Sequence, residues 1–295
     1  RYTAGRDVYL NEKGFGLTNY LPLCFMLLYP FEFLVDYNAI TLKECWGNPV
    51  CLVSAIFFTF ISLGLLIHSL YCLCKKYHIN LFILIAFLLS NVVIFAFERG
   101  NWIIIAAAFT YYFLAFYESK SKFESYFAAT ALVLASVIKI YPVFFGILYL
   151  YKKDYKKVLF CFISGLILTF LPFLFFKSGF TSIPYLFDTL KQNSSVYAKN
   201  MNPRFGFSYL FYYTGRALVK YLRVSQLLPG YLFNVSSILM KLVCLYSILL
   251  LVRVKDTFYR LMLITCLILY LPSNSQYYCA LYYLTTIIVY FATLK

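Results

Sequence analysis

The sequence predicts an all-α, polytopic integral membrane protein, and three observations carry that prediction. Of 295 residues, 63% are hydrophobic and only 13% charged, with a mean hydropathy of +0.78, whereas soluble domains hold roughly 25% charged residues. The apolar runs Val50 to Cys74, Ile79 to Phe97, Val158 to Phe176 and Tyr231 to Val252 approach or exceed the about 20 residues a helix needs to cross a bilayer. These runs are continuous rather than alternating, which suits helices and not the period-2 strands of a membrane barrel.

In chain order the predicted apolar segments are Tyr20 to Val35, Val50 to Cys74, Ile79 to Phe97, Trp102 to Tyr117, Tyr126 to Tyr151, Val158 to Phe176, Tyr231 to Val252, Tyr259 to Leu271 and Tyr277 to Leu294. They read as a single transmembrane domain over residues 1–295, a helical bundle with short or broken helices. The chain opens on Arg1 without a complete first span, so a helix and part of a first outer loop are expected upstream. The formal charge of +15 comes from 26 Lys and Arg against 11 acids. Its basic residues sit in short connections, Lys75-Lys76, Glu118 to Glu124, Lys152 to Lys157 and Arg253 to Arg260. Cytoplasmic loops carry such an excess, so the charge argues for membrane orientation and against nucleic-acid binding.

That topology requires Tyr126 to Tyr151 to enter and leave on the same side. Pro142 lacks a backbone donor and restrains Tyr141, so two half-length helices are expected to meet near Lys139 to Pro142 and turn back. One kinked span is the competing reading. Lys177 to Gly230 reads as one long extracytoplasmic loop. Its second part, Tyr209 to Arg223, is predicted as an interfacial helix with Arg216, Lys220 and Arg223 on its polar face.

Ionisable groups beside apolar runs are expensive in a membrane and therefore mark candidate sites. Lys139 stands alone at the midpoint of its run. At a helix end its ammonium could hold a phosphate as a point charge, with Tyr141 beside it. Glu98-Arg99-Gly100-Asn101 puts an acid, a base, a flexible residue and an amide into one turn. At the N-terminal side Asp7 is the best-placed carboxylate to take an acceptor hydroxyl's proton, and Tyr20 and Pro22 open the helix that follows. Ser273 to Tyr278 supplies a row of hydrogen-bonding groups suited to sugar hydroxyls. No carboxylate pair or histidine cluster calls for a metal, and His68 and His78 read as structural. The nine cysteines lie mostly within apolar runs and read as small packing residues.

The order of these elements resembles the membrane glycosyltransferases with the GT-C fold, in particular glycosyltransferase family 87. The matching elements are Asn19-Tyr20-Leu21-Pro22, then Arg99-Gly100-Asn101, then the small-residue stretch Ala128 to Ser136 leading into Lys139-Ile140-Tyr141-Pro142, then the basic KKDYKK loop, and late in the chain Pro272-Ser273-Asn274-Ser275 with Tyr277-Tyr278. Two departures stand out: the family's Gly-Gln pair is absent, and its doubled proline is single here.

The resemblance implies a GT-C-like bundle. It implies a hexosyl- or pentosyltransferase that moves a sugar from a polyprenyl-phosphate-linked donor to a glycan or glycolipid acceptor at the extracytoplasmic face, most naturally of a bacterial inner membrane. Asp7 would be the catalytic base, unless the base lies in the expected upstream loop. Lys139, Arg99, Asn101, Tyr141 and Arg204 would hold the donor phosphate. Glu98, Tyr20, Ser275, Gln276 and Tyr278 would hold acceptor and sugar. Membrane lipids, donor and acceptor are the expected partners, with no nucleic acid, cofactor or metal. A transporter or flippase for a lipid-linked or anionic solute, with broken helices around a midplane cation, and a membrane polysaccharide polymerase remain alternatives.

Overall fold

A computed structural model describes residues 20–32, 44, 47–199, 207–271 and 277–294. Among them there are helices and turns and no strand. The chain divides into two compact units, Arg1–Ser195 and Val196–Lys295.

The first unit begins with α1 (Pro22–Glu32) and α2 (Pro49–Lys76), the latter capped by the Asn48 side chain, which accepts from the backbone of Val50 and Cys51. At 28 residues, α2 is about 42 Å long and can span a bilayer. The predicted span Ile79 to Phe97 is instead two short helices, α3 (Leu81–Leu88) and α4 (Asn91–Glu98), separated at extended Ser90. The polar pair Ser90-Asn91 lies inside that apolar run. The structure uses the serine to start a new helix.

Next come α5 (Ile103–Phe116) and α6 (Lys122–Ile138), which pack on each other, α5 also against α2. Nearly every residue of α5 is buried. Small side chains explain the close approach: Ala106, Ala107 and Ala108 on α5 and Ala128, Ala129 and Ala135 on α6 are all fully enclosed, the residue type that lets membrane helices approach closely.

After α6 the backbone opens at Lys139 (φ −139°, ψ 126°). A 3-10 turn (Tyr141–Gly146) and α7 (Ile147–Tyr151) then fold back along α6. The Tyr149 hydroxyl donates to the Ser125 carbonyl (3.4 Å), and the two ends of the hairpin therefore lie together. The predicted break and turn back near Lys139 to Pro142 are present. Its extended residue is Lys139 rather than Tyr141, because Pro142 fits within the first turn of the 3-10 segment, where its missing N–H is not needed. α8 (Tyr155–Phe170) continues through a 3-10 stretch to Phe175, a second membrane-length element, and no residue of α8 is buried.

Within the long connection Lys177 to Gly230 the described residues are largely helical. A 3-10 turn (Gly179–Ser182) leads into α9 (Ile183–Lys199), and α10 (Phe207–Leu222) follows in the second unit. The polar composition of the stretch suggested a loop. Its spacing decides otherwise: Leu186 is buried against Phe173 and Phe176, with Ile183 and Leu190 beside it, one apolar face at helical period.

In the second unit α10 packs on α11 (Leu228–Arg253), the third membrane-length helix. Gly215 sits at their contact, where a Cβ would come within 2.8 Å of the Pro229 Cα. The Tyr209 and Tyr212 rings lie 5.3 and 6.3 Å from that of Phe233. The Tyr209 to Arg223 region is thus helical and held by packing. α12 (Thr257–Tyr270) joins α11 to a 3-10 turn (Tyr277–Tyr282) and α13 (Tyr283–Thr293). A contact between the Thr265 and Thr286 hydroxyls (3.1 Å) ties α12 to α13.

Candidate functional site

Two helix ends and one helix start build the site in the first unit. The α4 helix closes with three backbone bonds, Arg99 N–H to Phe95 O, Gly100 N–H to Phe97 O and Asn101 N–H to Ala96 O, a Schellman arrangement whose penultimate residue must be left-handed. Gly100 occupies that position (φ +53°), which only glycine adopts freely. The turn delivers Asn101 to the start of α5, where its Oδ1 accepts from the Ile103 N–H at 3.0 Å.

Tyr20, immediately before α1, donates its hydroxyl to the same Asn101 Oδ1 (3.3 Å). The Lys139 ammonium lies over the Tyr20 ring, 4.1 Å from its centroid. Lys139 is only 8% exposed and Asn101 only 7%. An aromatic face stabilises a partly desolvated cation by about 0.5–2 kcal/mol, far less than its loss of water. The Asn101 amide nitrogen has no hydrogen-bond partner among the described residues. The cluster therefore offers an ammonium and an amide donor in a buried place, which is the chemistry of an anion site.

Three predicted residues, Tyr20, Asn101 and Lys139, are brought together. Tyr141 is half-buried at the start of the following turn. Glu98 and Arg99 are exposed, and the Arg99 guanidinium stacks over Phe95 of its own helix, 5.1 Å from the ring centroid. Tyr278 is buried in the second unit. Asp7, Arg204, Ser275 and Gln276 lie outside the described residues.

Sequence reasoning missed Cys24 and Trp102. The Cys24 thiol donates to the Ile138 carbonyl at 3.6 Å, one of the last carbonyls of α6, which the helix itself leaves without a partner. Cys24, Trp102, Ile105, Ala106 and Ile138 form a buried cluster with Tyr20 and Phe58 packed against it, and the rings of Trp102 and Phe58 meet edge to face at 5.1 Å. The spacing Tyr20 to Cys24, one helical turn, was the available signal.

The opposite end of this unit gathers the lysine-rich connections. The Glu118 carboxylate pairs with Lys76 (2.8 Å) and reaches Lys152 (3.9 Å), and both ammoniums lie over the Tyr117 ring. Lys76 also donates to the Leu114 carbonyl (2.7 Å). Burial opposes ionisation of Glu118, but the hydrogen bond and charge of Lys76, with Tyr117 and Lys152, hold its pKa below the ordinary glutamate value. Among the described residues no three of His, Cys, Asp and Glu gather as a metal site.

Among the described residues, three helical elements long and apolar enough to cross a membrane, with outward apolar faces, define a polytopic membrane protein, and a helix break in its first unit buries Lys139. The chain belongs to glycosyltransferase family 87, whose model matches residues 20–274, a range containing Tyr20, Asn101 and Lys139. It is therefore a glycosyltransferase and an integral membrane protein. No curated protein and no solved structure matches it.

Proposed function

We propose that the protein takes a sugar from a polyprenyl-phosphate-linked donor and transfers it to a glycan or glycolipid acceptor at the extracytoplasmic face of a bacterial inner membrane. The observation that carries this reading is the buried Lys139 at a helix break, its ammonium over the Tyr20 ring. When the bond between the sugar's anomeric carbon and the phosphate oxygen breaks, the departing lipid phosphate gains negative charge. A preorganised ammonium and the Asn101 amide stabilise that charge where it develops. The acceptor hydroxyl forms the new bond and gives its proton to a carboxylate, for which Asp7 is the proposed base. Arg99, Tyr141 and Arg204 would complete the phosphate contacts. Glu98, Tyr20, Ser275, Gln276 and Tyr278 would contact sugar and acceptor, and no cofactor takes part in this scheme.

The proposed side follows from the lysine distribution. Lysine-rich connections favour the cytoplasm, which leaves the Lys139 end facing outward. The test is transfer by the full-length protein in sealed vesicles of known orientation, offered a polyprenyl-phosphate sugar or the corresponding nucleotide sugar. Transfer from the lipid donor, on the face away from the lysine-rich connections, is expected. Transfer from the nucleotide sugar with the lipid donor inert would overturn the reading.

A further inference from the structure

The lysine-rich end of the first unit has more positive charge than its own acids can balance, and the surplus is displayed on three connections that the structure ties together. Glu118 joins the α5–α6 connection to the ends of α2 and α7 through Lys76 and Lys152. Asp154 is occupied by Lys157 at 2.8 Å, and Ser119 donates to Glu124. The acids of these connections are thus engaged. Lys75, Lys120, Lys122, Lys153 and Lys156 are exposed and make no ion pair among the described residues.

The backbone supports this display. α7 ends in a Schellman arrangement, with Lys153 N–H to Leu150 O and Asp154 N–H to Tyr149 O. Lys153 holds the left-handed position (φ 55°) that glycine takes without penalty. A lysine in this place is unfavourable for the backbone and projects a cation from the turn. Exposed apolar and aromatic side chains, Phe123 (82%) and Tyr155 (65%), flank the lysines, as expected where a protein meets both acyl chains and headgroups.

The geometry points to this end as a docking surface for anionic phospholipid headgroups, with Lys75, Lys120, Lys122, Lys153 and Lys156 as the headgroup-binding side chains. Orientation by positive charge requires only an excess of lysine. Surplus cations on three cross-linked connections, beside outward aromatic residues, form a surface that several phosphates can meet at once. The inference needs no sugar transfer and stands or falls separately from the proposed reaction.

The experiment is native mass spectrometry of the full-length protein released from mixed micelles holding equal phosphatidylglycerol and phosphatidylcholine. Each lysine near an anionic surface contributes about a fivefold preference at full engagement, so the protein should retain phosphatidylglycerol over phosphatidylcholine by about tenfold or more. The variant K120Q/K153Q/K156Q should fall to about twofold, while R216Q/K220Q/R223Q, which removes the same charge from the second unit, should keep the original preference. Equal loss in both variants would assign the effect to net charge and overturn the surface. Unchanged preference in the first variant, or displacement of the lipid by millimolar inorganic phosphate, would overturn it as well.

Discussion

The two ends of the first unit use the same backbone device for opposite electrostatic purposes. The turns after α2, α4 and α7 close with the same set of three hydrogen bonds, the last reaching back five residues: Ile79 to Cys74, Asn101 to Ala96 and Asp154 to Tyr149. At the site end the left-handed position is Gly100; at the lysine-rich end it is His78 and Lys153. One end thus spends glycine to place a neutral amide beside a buried cation. The other accepts backbone strain to keep cations at helix C-termini, where the macrodipole favours them. The comparison continues in the lysines: half-exposed Glu118 pairs with Lys76, whereas Lys139 is buried with its ammonium over the Tyr20 ring. A cation buried beside apolar helices marks a functional site more clearly than one at a solvated connection.

The sharpest way to break this comparison is to neutralise one lysine from each end. Lys139→Ala should lower transfer by about 100-fold or more, the scale of removing one preorganised donor from a developing charge. Lys139→Arg should recover part of the activity, because charge matters more than shape at this position. Lys76→Ala should do the reverse, with activity per folded molecule kept and the melting temperature lowered. A Lys139→Ala protein that transfers sugar normally would remove the anion role altogether. Asn101 separates two roles in one side chain. Asn101→Asp retains the oxygen that caps Ile103 but loses the amide donor, so the protein should stay folded while transfer drops about tenfold, the value of a charge-assisted hydrogen bond. Asn101→Ala should lose both activity and about 1 kcal/mol of stability.

Much of this architecture was legible in the sequence, and the reasons are local. Lys139 and Pro142 in an otherwise uncharged run forecast a hairpin because a break there lets basic connections at both of its ends share one side. Tyr20, Asn101 and Lys139 were each visible as polar exceptions beside apolar runs. Their meeting was not, since Tyr20 and Asn101 are 81 residues apart and long-range register leaves no mark in a single sequence. Ser90 shows the limit for apolar segments, where hydropathy measures how greasy a run is but not where its helix restarts. For α9 the error ran the other way: polar composition concealed an apolar face formed by Ile183, Leu186 and Leu190. Cys24 was set aside as packing, and its thiol nevertheless serves the open end of α6.

Exchanging the residues at the two left-handed positions gives a smaller effect of predictable sign. Nothing lies within 4 Å of a Cβ built at Gly100, so Gly100→Ala meets only the conformational penalty, about 1 kcal/mol. Lys153→Gly should stabilise by about 0.5 kcal/mol, the relief of left-handed strain less the added freedom of the unfolded chain. Equal and same-signed shifts in melting temperature for the two variants would show that the two caps are not built alike.

The smallest expected effect is the acid response of the lysine-rich end. The folded pKa of Glu118 lies below its ordinary value near 4.5. The contribution of the carboxylate is therefore fully present above about pH 4.5 and disappears as pH falls through the depressed folded value. The Glu118 side chain is 41% exposed, so solvent screening keeps the contribution to about 1 kcal/mol or less. Melting temperatures of wild type and Glu118→Gln should differ at neutral pH and converge as pH drops below about 4.5, since protonation turns the wild type into a near copy of the variant. A gap that persists unchanged at low pH would mean that Glu118 acts through packing and hydrogen bonding rather than charge, and the lysine-rich end would then be held together by something other than its central carboxylate.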